Sequence, residues 1–189
     1  MTDNPYHSPG PEHQPASVGA PLVPSVVAAN AALVQKSAVL LQRFKNGASW
    51  FYWLAALSII NSLLSVFEAN VRFIFGLTIT QVFDGEAKGF QQQGFETAIW
   101  IALGLDFLAA GFFVLVGTLA LRGMHFMFII GLVVYFLDAL LALGLLWLGV
   151  ISPLALLFHA FVIWQIWNGW RAHRQLDALA DAAVAHRPA

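Results

Sequence analysis

The chain contains no cysteine. That absence removes disulfides, thiolate nucleophiles, CxxC redox chemistry and cysteine-ligated metals from the functions to be considered. Charge is also scarce. Asp, Glu, Lys and Arg make up 10% of the residues, against about 25% in ordinary soluble domains. The net charge of −1 creates no bulk positive field, so nucleic acid is not an expected partner. The opening, MTDNPYHSPGPEHQP, has neither a basic start nor an apolar core, so no cleavable signal is expected there. A phosphate-binding glycine loop, a dinucleotide fingerprint, an HExxH and an ordered serine–histidine–aspartate set are all missing. No catalytic residue, cofactor or metal is therefore expected, and an enzyme is the least favoured class.

What is present in excess is apolar surface. Of the 189 residues, 59% are hydrophobic, and the mean hydropathy is +0.73. The predicted fold class is all-α, an integral membrane four-helix bundle. Runs of about 20 apolar residues, enough to cross a bilayer core, place spans at residues 48–67, 97–121, 124–148 and 153–170. Arg122-Gly123 and a GVIS stretch are the only links between the last three spans, and such short links force antiparallel neighbours. Residues 1–25, which hold six of the eight prolines, read as a disordered tail. Residues 26–47 carry Val26, Leu33, Leu40, Leu41 and Phe44 at helical spacing, as expected for an amphipathic surface helix stopped by Asn46-Gly47. Residues 171–189 read as a C-terminal tail.

The stretch from Val71 to Gly85 is apolar but too short to cross, and it is expected to be re-entrant or interfacial. The polar EAKGFQQQGFE after it reads as a loop. Seven of the nine basic residues fall on one side of a four-span topology, with only Arg72 and Lys88 on the other. Both termini are therefore expected in the cytoplasm. Gly104, Gly111, Gly131 and Gly144 mark the middle spans as candidate close-packing points, and Ser58, Asn61, Ser62 and Ser65 line one face of the first. For those serines, helix packing is the reading preferred over any ligand role.

The anomaly is a pair of carboxylates in hydrocarbon. Counted from the outer ends of their spans, Asp106 lies ~13 Å deep and Asp138 ~15 Å deep, with Asn61 and His159 at ~10 Å. One polar side chain from each span thus falls in the outer half of the bundle, and Glu68 would sit at its outer rim. Such groups are costly in a bilayer, at least ~2.5 kcal/mol each, and should face inward and find partners. A shared proton between the aspartates, a pair with His159, or a bound cation would each relieve the repulsion. Interhelical hydrogen bonding is the first reading. A proton, metal-ion or small-solute site built from Asp106, Asp138 and His159 is the alternative.

The paired aspartates suggest intramembrane aspartyl proteases only weakly: Leu103-Gly104-Leu105-Asp106 lacks their Gly-x-Gly-Asp, and Tyr135 stands three residues from Asp138. His125 and His159 fall at different depths, which excludes haem held between them, and His173 reads as a solvated or headgroup contact. The stretches WFYWLAALSIINSLLS and FIFGLTITQVFDG, with the NPYHSP opening, resemble a group of small uncharacterised bacterial four-span membrane proteins. The resemblance spans residues 48–170. It implies a bacterial inner-membrane location and a short outer segment capping the bundle, and no activity. The expected partners are the lipid bilayer and either a second copy of the chain or another membrane protein.

Overall fold

The computed structural model describes residues 24–67 and 76–185. Glu68, residues 71–75, Arg187 and most of the proline-rich tail lie outside the described residues. The described residues form five helices and no strand: α1 (Pro24–Val66), α2 (Thr78–Gln92), α3 (Thr97–Leu121), α4 (His125–Trp147) and α5 (Pro153–Ala185). The chain divides into residues 1–36 and 37–189. In the first unit the described part is helical, with Val27 exposed. The second unit holds the bundle.

Three helices, α1, α3 and α4, are long and apolar enough to cross a membrane. Their burial pattern is that of a protein dissolved in lipid. On α3 the buried stripe is Ala102, Asp106, Ala110, Phe113, Gly117 and Ala120. The exposed side carries Trp100, Ile101, Phe107, Leu108 and Leu115. On α4 the inner stripe includes Gly131, Tyr135, Asp138 and Ala142, while Phe126, Ile129, Val133, Phe136 and Leu137 face outward. In water such exposed patches would drive aggregation. In a bilayer large apolar groups cost nothing outside, and small residues inside let backbones approach. This marks an integral membrane protein.

Three expectations change. First, α1 runs unbroken through Asn46-Gly47, where a stop between a surface helix and the first span was expected. The glycine serves packing instead. A Cβ on Gly47 would stand 2.5 Å from the Cα of Gly169, and one on Gly169 would stand 2.6 Å from the Cα of Gly47, so α1 and α5 cross there backbone to backbone. Second, α2 continues to Gln92, so much of the expected polar loop is helix. Glu86 lies on its exposed side, while Asp84 and Ala87 face the bundle. Third, α5 extends to Ala185, past the expected span end at residue 170. Its 33 residues amount to about 50 Å, well beyond a ~30 Å hydrocarbon core.

Of the four close-packing glycines marked in the sequence, Gly131 is tightly packed and the other three are not. Nothing lies within 4 Å of a Cβ added at Gly104, Gly111 or Gly144, whereas one at Gly131 would strike the Phe51 ring at 2.4 Å. Phe51 and Leu54 of α1 are fully buried. Phe51 packs against Phe113 of α3 and Phe128 of α4, and Trp50 packs edge-on against Phe161 of α5. This stretch of α1 thus packs into the core against α3, α4 and α5. Gly47→Ala is expected to destabilise the protein by about 1 kcal/mol, because overpacking of about 1–3 kcal/mol outweighs a helix-propensity gain of about 1 kcal/mol. Thermal unfolding in detergent checks this; a stabilised variant would mean the two backbones do not touch.

Candidate functional site

Helix α2 begins inside the bundle, and its start raises an accounting problem. The first backbone N–H groups of any helix have no partner within it. The residue ahead of α2, Leu77, supplies no side-chain cap, and it is buried. The bundle provides the acceptors. Leu77 N donates to Ser58 Oγ of α1 at 3.0 Å. Thr78 N donates to Asp138 Oδ2 and Ile79 N to Asp138 Oδ1, both at 2.9 Å. Asp138, from the middle of α4, thus caps another helix with both carboxylate oxygens. A negative group at a helix N-terminus is stabilised by the hydrogen bonds and by the helix dipole together.

His159 completes this knot from α5. Its Nε2 lies 3.0 Å from Asp138 Oδ2 and 3.2 Å from Thr78 Oγ1, and its Nδ1 lies 2.7 Å from the carbonyl oxygen of Ala155. A carbonyl only accepts, so Nδ1 carries a proton. A proton between Nε2 and Oδ2 closes the network. The Tyr135 ring stacks on the imidazole at 5.0 Å between centroids, and its hydroxyl is buried without a hydrogen bond.

Asp106 belongs to a different focus. It is fully buried, and its polar neighbours are Ser62 of α1 and Asp84 of α2. These approach it without closing a hydrogen bond of good geometry, since neither Asp106 oxygen has a partner. Asp84 lines a small recess with Ser65, Lys88 and Ala102. Burial, and then the Asp106 carboxylate beside it, push Asp84 up to about 7, against the opposing pull of Lys88 and Ser65. Two carboxyl groups thus stand as close neighbours without a hydrogen bond between them.

The four residues singled out by depth are all buried: Asn61 at 8%, Asp106 at 0%, Asp138 at 6% and His159 at 2% exposed. Asp138 and His159 meet directly. Asp106 turns to Asp84, and Asn61 lies on the inner face of α1 beside Ser62. Sequence reasoning missed Asp84 as a site residue and missed the start of α2 as the partner of Asp138. The available signal was TITQVFDG, where Thr78, Gln81 and Gly85 interrupt an apolar run and Asp84 follows at helical spacing. His173 is also corrected: it is buried at 8% exposed, edge-on to Phe44 at 4.7 Å, because α5 continues as helix and keeps it against α1. The chain matches no protein-family model, no curated protein and no solved structure. The fold and the site define a class, the helical integral membrane proteins with a buried polar knot.

Proposed function

We propose that the protein is a non-enzymatic component, a scaffold or subunit, of a bacterial cytoplasmic membrane, with four spans and both termini in the cytoplasm. The observation that carries this is the capping of α2 by Asp138. A carboxylate that accepts two backbone N–H groups and a histidine is committed to holding helices together. For α5 as the fourth span, the support is its outward Leu154, Leu157, Phe161, Trp164 and Trp167 over an inward His159, Val162 and Ile166. His159, Gln165 and Asn168 dilute its apolar character. The excess of Lys and Arg flanking the apolar stretches, with Lys36, Arg43 and Lys45 before the first, Arg122 after α3, and Arg171 and Arg174 after the last, supports the orientation. With no native cysteine, single introduced cysteines probed with an impermeant maleimide test it directly. Labelling from outside is expected at Gln91 and Val150, both exposed, and not at Gly123 or Ala182.

A second reading, a proton-responsive sensor or carrier, is favoured by the Asp84–Asp106 pair beside its recess. Purified protein in liposomes separates the two. The scaffold reading expects no proton or cation flux under an imposed gradient. Flux that Asp106→Asn abolishes while the protein stays folded would overturn it in favour of the second.

A further inference from the structure

Beyond the bundle's polar knot, a second constellation lies at the end where α4 begins. His125 is the first residue of α4, and His173 and Asp177 sit one helical turn apart on the extension of α5. Residues at i and i+4 present side chains side by side on one face, the same device that sets two ligands of HExxH metal sites. Both histidines converge on one oxygen: His125 Nε2 lies 3.2 Å and His173 Nδ1 3.1 Å from Asp177 Oδ2. The two rings are 4.1 Å apart between centroids, and the three donor atoms all lie within 4.8 Å of one another.

We propose that His125, His173 and Asp177 bind a divalent transition metal ion, with zinc as the type case. Zinc bonds to imidazole nitrogen and carboxylate oxygen at about 2.0–2.2 Å, so tetrahedral donors stand ~3.3 Å apart. The two nitrogen–oxygen separations, 3.2 and 3.1 Å, already match. Two imidazoles and one carboxylate suit zinc, cobalt or iron(II), and disfavour magnesium and calcium, which take oxygen donors. Burial divides the roles. His173 is 10% exposed and pinned between Phe44 and Phe128, whereas His125 and Asp177 are 49% and 44% exposed. One ligand is therefore fixed by the core while two open to water, which gives an ion a route in and leaves a fourth position for water or a solute. Bound there, the ion joins the start of α4 to the α5 extension beyond the bilayer core. The site shares no residue with the Asp138–His159 knot, so it stands whether or not the scaffold reading does.

The test is zinc binding by the full-length protein in detergent, purified without a histidine tag. His7, His13 and His186 are first replaced by glutamine so that only the described histidines remain. Isothermal titration is expected to show one zinc per chain, and cobalt is expected to give the visible absorption of a four-coordinate site. His125→Gln and Asp177→Asn change half-exposed side chains, so both should elute as the parent does in gel filtration. Changes that merely surround a metal site weaken binding about 10–100-fold, so losing a direct ligand is expected to weaken it by about 100-fold or more. A parent that binds no zinc, or variants that bind it as tightly as the parent, would overturn the proposal.

Discussion

Asp138→Asn is expected to destabilise the protein by about 3 kcal/mol. The amide keeps one acceptor oxygen and turns an NH2 group toward a backbone N–H that needs an acceptor. Either Thr78 N or Ile79 N, each now 2.9 Å from a carboxylate oxygen, is left buried and unpaired. Such a loss costs about 1–3 kcal/mol. Removing the negative charge from the α2 N-terminus adds up to ~2 kcal/mol, and His159 loses the group it shares a proton with. For a chain of this size the expected shift is about 6–12 °C in Tm. Hydrogen exchange should show α2 opening first, because its start has no cap of its own. An unchanged Tm would mean that Asp138 does not hold α2 in the membrane.

The Asp84–Asp106 pair gives the second large effect, with the opposite sign. Asp84 is raised from 3.8 to about 7, so the folded protein keeps a proton that the unfolded chain releases. Its contribution to stability is fully present below about pH 4 and is lost as pH rises through about 7. Wild-type Tm is therefore expected to fall across that window, by several degrees. Asp84→Asn imitates the protonated acid. It should flatten the decline and be more stable than wild type at pH 8, where Asp138→Asn is markedly less stable. Parallel pH profiles for wild type and Asp84→Asn would show that the two carboxylates do not interact.

This contrast bears on what the polar interior does. Asp138 is saturated: three donors converge on it, and the reading of a helix lock follows. Asp106 is unsatisfied, fully buried and paired with a second acid at a recess. Such a group costs stability when ionised, and the protein keeps it. Proton flux in liposomes decides whether that cost supports a function.

Much of the architecture was legible in the amino-acid order because its causes are local. The apolar run of α3 was bounded at residues 97–121, as found, since a bilayer demands about 20 apolar residues wherever it is crossed. The expected depths of Asp106, Asp138 and His159 rest on helical rise alone, and their burial, which the structure shows, follows from the cost of exposing them to lipid. Pairing is another matter, because rise gives depth and says nothing of azimuth between helices. Asp106 and Asp138 are expected at one level, yet one lies beside Asp84 and the other meets the backbone of Thr78 and Ile79. Backbone N–H groups carry no sequence signature as partners. Gly47 shows the same divide: beside Asn46 it has the look of a helix stop, and only the crossing with Gly169 makes it an interior contact. His125 and His173 stand 48 residues apart in the numbering. Their meeting depended on α5 continuing as helix to Ala185, which the short antiparallel turn permits and only the packed helices decide.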